Sequence, residues 1–183
     1  VFAGLATGLV VGMFNGWLTT RVGIPSFLTT LAMMGIAKGA AMWISDTAAV
    51  PILNQSYAWI FGGGSIGRIP VLLFWVLILG AIGHFALRRT GFGRRVLATG
   101  GGETAARYSG IDTARIKFRV LVLSSTAAAL AGMLYAGRLQ SGRFQLGEGD
   151  ELSVIAAAVL GGTSLFGGKG TVIGTVVGAM MIG

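Results

Sequence analysis

The chain has 183 residues, 54% of them hydrophobic and only 11% charged, with 32 glycines and a mean hydropathy of +0.79. A water-soluble domain of this size needs far more surface charge, so lipid is the main solvent of this chain. The formal net charge of +8 falls largely in one segment, and the lack of cysteine excludes disulfides and thiol-based metal or redox sites.

In chain order, four segments are long enough to cross a hydrocarbon core, which takes roughly 20 apolar residues and tolerates about 17. They are Phe2 to Thr20, Leu28 to Ile44, Ile69 to Leu87 and Phe118 to Gly137. The first carries Gly4, Gly8, Gly12 and Gly16 on one helix face, and Gly170, Gly174 and Gly178 repeat that spacing near the other end. Small residues let helix backbones approach closely in lipid, so such a face serves either tight packing within one subunit or a sliding or dimer surface. The only histidine, His84, sits near the end of the third span with no acid or second histidine at metal spacing. It reads as an interfacial histidine in preference to a proton relay.

In the segment 88–119, Arg88, Arg89, Arg94, Arg95, Arg107, Arg115, Lys117 and Arg119 stand against Glu103 and Asp112, a net of +6. The positive-inside rule makes residues 88–117 a cytoplasmic loop and leaves outside the segments 45–68, with only Asp46 and Arg68, and 138–151, with Arg138 and Arg143 against Glu148, Asp150 and Glu151; by parity the connector 21–27 lies toward the cytoplasmic side. Within the loop, residues 103–109 are good helix formers with Glu103 and Arg107 four apart and Gly110 as a stop. Gly100, Gly101 and Gly102 are expected to free the entry to this helix, and Asp112 to cap the next span. The segment is either a short amphipathic helix held between two spans or a solvated connector.

The run from Leu152 to Leu160 is half a span long and suits a broken or re-entrant helix, with Asp150 read as its cap. The stretch GGTSLFGGKGT that follows, residues 161–171, looks like a phosphate-binding loop but fails that pattern twice. Thr163 stands where the first glycine is needed, and Gly170 where a Ser or Thr must hold magnesium. It reads as a bend between membrane helices. The final segment, Thr171 to Gly183, stops in mid-span, so the chain is expected to be one transmembrane domain, residues 1–183, truncated at both ends. The fold expected is all-α: a polytopic membrane helix bundle with broken or re-entrant helices.

The series GRRVLATGGGETAARYSGIDTARIKFRVLVLS, followed by RLQSGRFQLGEGDELSVIAAAVLGGTSLFGGKGTVIGTVVGAMMIG, resembles the permease subunits of ATP-binding-cassette importers for ribose, xylose, arabinose and related sugars. The stretch GIPSFLTTL, residues 23–31, is similar to an apolar motif of the same family. The resemblance implies a pair of permease subunits in the bacterial inner membrane, an ATP-hydrolysing partner subunit and a periplasmic sugar-binding protein. It implies no cofactor of the chain's own, because ATP is bound by the partner; the basic loop, interrupted by spans, reads as a topology signal in preference to a site for anionic lipid or nucleic acid. It further implies that Glu103, Thr104, Ala105, Ala106, Arg107, Tyr108, Ser109 and Gly110 form the coupling helix that docks on the ATPase. Here Gly102 stands where the family usually has Asn, so a side-chain cap for that helix is not expected.

Polar groups within spans point to a pathway, because lipid penalises them unless they line water or find partners. Asn15, Ser26, Thr29, Thr30 and Lys38 are the candidates, and Pro25 interrupts the chain just before three hydroxyls. A break there would present carbonyls and hydroxyls to a sugar, with Phe27 stacking on its apolar face. Lys38 either lines that cavity or extends to the outer interface. A secondary transporter is the rival reading, but carriers coupled to protons use intramembrane acids and the spans hold none. An intramembrane enzyme lacks the residues for acid and base work. A branched-chain amino-acid permease is a more distant alternative.

Overall fold

The computed structural model describes residues 1–183, the side chain of Ile66 excepted. The protein is an all-α, polytopic membrane protein. Among the described residues four helices are long and apolar enough to cross a bilayer: Phe2–Val22, Ser26–Ser45, Val71–Arg89 and Thr113–Leu139. The chain divides into two compact units, Val1–Trp75 with Phe118–Leu146, and Val76–Lys117 with Gly147–Gly183.

In the first unit, α1 (Phe2–Trp17) widens into a π-helical turn, Leu18–Val22, and stops at Gly23. α2 (Ser26–Ser45) begins where the Pro25 carbonyl accepts from the Leu28 and Thr29 amides at 3.0 and 3.2 Å. Pro25 therefore starts a helix: the non-helical stretch lies between two spans and not within one. The glycine face of α1 packs against the helix Thr113–Leu139. A Cβ on Gly8 would overlap the Ala129 Cβ, one on Gly12 would stand 2.8 Å from the Val122 Cα, and one on Gly16 2.7 Å from the Phe118 ring. These contacts lie within the chain, as tight packing inside one subunit requires.

The segment 45–68, expected as loop, holds short elements that no periodicity announced. β1 (Val50–Pro51) is followed by the single turn α3 (Gln55–Ala58), capped by the Asn54 side chain, then a π-helical turn, Trp59–Gly63. β2 (Ser65–Ile66) and β3 (Ile69–Pro70) make a small antiparallel hairpin. Tyr57, Phe61 and Trp75 stack in series, with ring centroids 4.9 and 5.6 Å apart. The Tyr57 hydroxyl donates to the Met133 carbonyl at 3.1 Å, and Trp75 Nε1 to the Ile60 carbonyl at 2.9 Å. Burial pushes the Tyr57 hydroxyl above its usual pKa.

The second unit contains most of α4 (Val71–Arg89), then α5 (Gly91–Gly101), α6 (Glu103–Tyr108) and the first turn of α7 (Thr113–Leu139). The basic segment is thus largely helical. α5 is a correction to the expectation of a free, glycine-loosened entry: Gly100 and Gly101 are helical residues. Four glycines weaken a helix by propensity, yet Gly93 and Gly100 each meet backbone where a Cβ would not fit. Thr90 caps α5, its Oγ1 accepting from Gly93 N at 3.1 Å.

β4 (Ser141–Gly142), in the first unit, pairs antiparallel with β1, Val50 opposite Gly142 and Pro51 opposite Ser141. In the second unit α8 (Asp150–Leu160) and α9 (Val172–Ile182) have 11 residues each. At 1.5 Å per residue that is about half a hydrocarbon core. They pack closely, a Cβ on Gly174 overlapping Gly161 and one on Gly178 overlapping Ala157. Gly149, in the left-handed region at φ +88°, is the N-cap of α8, so Asp150 is not the cap expected. Asp150 and Glu151 instead occupy the first turn, where carboxylates oppose the helix dipole, and Glu151 accepts from the Gly149 amide at 3.0 Å.

Candidate functional site

The short helix α6 is fixed at both ends by its local sequence. Its N-terminus has no side-chain cap, since Gly102 is the N-cap in an extended conformation, as the Gly-for-Asn departure implied. Glu103 in the first turn compensates in part through its charge. At the C-terminus Gly110 takes φ +79°, Ile111 N–H donates to the Ala106 carbonyl at 3.0 Å and Gly110 N–H to the Arg107 carbonyl at 2.9 Å. This double bond pattern is a Schellman motif, which glycine reaches without steric cost.

Glu103 is the hub that joins α6 to α7. Its Oε2 lies 2.6 Å from Lys117 Nζ, and its Oε1 accepts from Thr113 Oγ1 at 3.2 Å and from Arg107 Nη2 at 3.5 Å. Arg107 Nε donates to Thr113 Oγ1 at 2.9 Å, so one hydroxyl, 1% exposed, accepts from one charged partner and donates to the other. The hydrogen bond from Lys117 holds the Glu103 carboxyl below the usual carboxylate range. Desolvation opposes that shift, and the Lys117 charge, the Thr113 hydroxyl and the Arg107 charge add to it. Asp112 caps α7 as expected, accepting from Arg115 N–H at 3.0 Å while its other oxygen pairs with Arg115 Nε at 2.9 Å.

The arrangement gives α6 one inward and one outward face. Ala106 is buried at 4% exposure, whereas Thr104, Ala105, Arg107, Tyr108 and Ser109 are exposed, Tyr108 at 94%. The Glu103–Arg107 pair was legible from spacing. Thr113 and Lys117 were missed, since nothing in their spacing, 10 and 14 residues from Glu103, marks them.

The pathway candidates all fall on α1, α2 and their connection. Asn15 is buried at 3%, with its Oδ1 lacking a hydrogen-bond partner. Phe27 is exposed, Lys38 half-buried. Thr30 Oγ1 donates to the Ser26 and Phe27 carbonyls at 2.9 and 3.1 Å. Thr29 Oγ1 donates to the Ser26 carbonyl at 2.9 Å and lies 3.2 Å from Thr19 Oγ1. With the Thr29 proton on Ser26, Thr19 is the donor across α1 and α2; it was not among the polar candidates. Among the described residues no cluster of three or more His, Asp or Glu could hold a metal, and His84 Nδ1 is buried without a partner.

Four bilayer-length helices, a half-length helix pair and a short polar helix tied to one span define a multi-pass membrane protein. The chain belongs to the family described as the branched-chain amino acid transport system / permease component, which it matches over residues 1–183. It is 38% identical to the ribose import permease protein RbsC of Escherichia coli (strain K12), over 100% of this chain and 58% of that protein. It is 39% identical to RbsC of Bacillus subtilis (strain 168), over 92% of this chain and 53% of that one. The L-arabinose ABC transporter permease protein AraH of Azospirillum brasilense is 39% identical, over 100% of this chain and 54% of the relative. The chain thus spans little more than half the length of these relatives. No solved structure matches it.

Proposed function

We propose that this chain is part of the permease subunit of an ATP-binding-cassette importer, forming the translocation path for a monosaccharide or related polyol in the bacterial inner membrane. The observation that carries this reading is the Glu103 hub: a short helix with an exposed face, held by ion pairs and a buried hydroxyl to the start of a bilayer-length helix. A push on α6 is delivered to α7 with little slack. The relatives named for ribose and arabinose import support a sugar as the solute.

In this reading α6 docks on an ATP-hydrolysing subunit, a periplasmic sugar-binding protein delivers solute, and a second permease copy completes the path. Residues 88–117 are cytoplasmic. The pairing of β1 with β4 supports that topology, because it joins the two segments that the charge distribution assigns to the outer side. The chain itself binds no ATP, since residues 161–171 join two apolar helices and lack the glycine and hydroxyl of a phosphate loop. Asn15, Pro25, Phe27, Thr30 and Lys38 are the proposed pathway residues.

The test is reconstitution of the full-length permease with its ATPase and binding protein in proteoliposomes. Radiolabelled ribose or arabinose should accumulate only when ATP is present on the ATPase side. Accumulation driven by a proton gradient without ATP would overturn the proposal.

A further inference from the structure

The turn between α8 and α9 is held in one shape by its own bonds. Ser164 N–H donates to the Lys169 carbonyl at 3.0 Å, Gly167 N–H to the Ser164 carbonyl at 3.1 Å and Phe166 N–H to Ser164 Oγ at 3.2 Å. Gly167 and Gly168 take φ of +88° and +76°, a region that favours glycine. These two glycines rest on Gly100 and Gly101, the last residues of α5. A Cβ on Gly100 would stand 2.7 Å from Gly168 N, one on Gly167 2.5 Å from the Gly100 carbonyl oxygen, and one on Gly168 2.7 Å from the Gly101 Cα. Main chain meets main chain, with no flexible side chain between to absorb a displacement.

The contact stands between two elements of unlike kind. On one side, only Gly102 separates α5 from α6. On the other, Thr171 Oγ1 donates to the Gly161 carbonyl at 3.1 Å and caps α9 by accepting from Gly174 N at 3.2 Å, so the turn is tied to both half-length helices. α8 and α9 are then locked to each other through Gly161 with Gly174 and Ala157 with Gly178. Close-packed backbone of this kind moves as a body and transmits strain.

We propose that the contact of Gly100 and Gly101 with Gly167 and Gly168 is a joint through which displacement of α6 reaches the α8–α9 pair, and that these four are positioning residues for transport. The glycine-rich stretch that fails as a phosphate loop is the moving partner of that joint. The proposal rests on α6 being the element that docks on the ATPase.

The test uses the full transporter of permease, ATPase and binding protein, with single cysteines placed on α9 (Val177→Cys, an exposed site) and on α6 (Ser109→Cys). In the native background, maleimide labelling at both positions should change when ATP and vanadate trap the ATPase. Gly168→Ala puts a methyl into the Gly101 backbone. It should leave ATPase copurification and the α6 response intact, abolish the α9 response and lower uptake roughly two- to thirtyfold, the range for coupling residues remote from ligand. Gly170→Ala is the control in the same turn, since its Cβ meets only the Thr163 side chain at 3.5 Å, and should transport as the parent does. If Gly168→Ala does not reach the membrane, Gly100→Ala replaces it, obstructing the same contact from the α5 side with the same expectations. Normal uptake and a preserved α9 response in that variant, while Ala106→Pro in α6 uncouples, would overturn the joint and leave the docking role standing. Normal coupling in Ala106→Pro would overturn the docking role, and the joint with it.

Discussion

Lys117 Nζ lies 2.6 Å from Glu103 Oε2, closing a link between the first turn of α6 and the second turn of α7. Both side chains remain partly exposed, at 44% and 38%, so solvent screens the pair. Its contribution is about 0.2–1 kcal/mol, the range measured for exposed pairs, and its role is to set orientation more than stability. The linkage gives a pH dependence of defined sign. The Glu103 pKa is lowered in the folded state, chiefly by the Lys117 hydrogen bond, so the stabilisation is complete above the ordinary carboxylate pKa and is lost as pH falls through the lowered value. The protection of the α6 amides against hydrogen exchange, taken relative to the intrinsic exchange rate at each pH, should therefore be greatest at neutral pH and fall in acid. In Glu103→Gln that protection should be lower at neutral pH, insensitive to pH across the window, and equal to the parent's below it. A Gln variant that keeps the parent's pH profile would assign the titration to another group.

The glycine face of α1 predicts a graded response to one methyl group. At Gly4 an added Cβ meets the tip of Met133, its Sδ at 2.9 Å, which can rotate away. At Gly12 it meets the Val122 backbone at 2.8 Å, which cannot. Gly12→Ala should lose about 1–3 kcal/mol of stability, the usual cost of overpacking, while Gly4→Ala loses much less. Denaturant titration of the detergent-solubilised protein measures both. Equal losses would mean that α1 shifts as a body to accept either.

These contacts show what could be read from the sequence and what could not. The four spans were legible because apolar length is a one-dimensional property, and the ends of the observed helices differ from expectation by only a few residues. The Schellman stop at Gly110 and the Asp112 cap were legible because both use residues within a turn of the helix end. α5 was not, because Gly91, Gly93, Gly100 and Gly101 count against a helix until the backbone lying against Gly93 and Gly100 is known. The β1–β4 pairing and the Lys117 partner of Glu103 were invisible for the same reason: both bring together residues far apart in sequence with no shared period.

Topology can be tested without removing native cysteines, because the chain has none. Single cysteines at Asn54 and Gln145, on the two segments joined by β1 and β4, should react with an impermeant maleimide in intact cells. A cysteine at Arg94 in α5 should react only after the membrane is opened. Labelling at 94 without labelling at 54 and 145 would invert the arrangement.

Asn15 gives a sharp test of the pathway on α1. A buried amide oxygen without a partner costs about 1–3 kcal/mol, so Asn15→Leu should leave folding unharmed or improve it if the group only packs. If a sugar hydroxyl meets that oxygen at another stage of transport, uptake should fall by about 5- to 150-fold, the same energy expressed as a rate or affinity. Phe27→Ala and Thr30→Ala probe the neighbouring sites by the same assay. Unchanged uptake in all three variants would remove them from the path.

The proposed coupling role of α6 makes the strongest demand. Ala106→Pro removes the amide that donates to the Gly102 carbonyl at 2.9 Å and costs about 3 kcal/mol in a helix interior. Arg107→Glu sets a second carboxylate beside Glu103, deprives Thr113 of its donor and reverses the charge offered on the exposed face. Neither change touches the apolar part of a bilayer-length helix, so both variants should insert normally. Uptake should fall, ATP hydrolysis should lose its response to sugar-loaded binding protein, and the ATPase should be retained poorly on copurification. Wild-type transport and retention in both variants would reduce α6 to a connector held by Glu103, and the importer proposal would lose the observation that carries it.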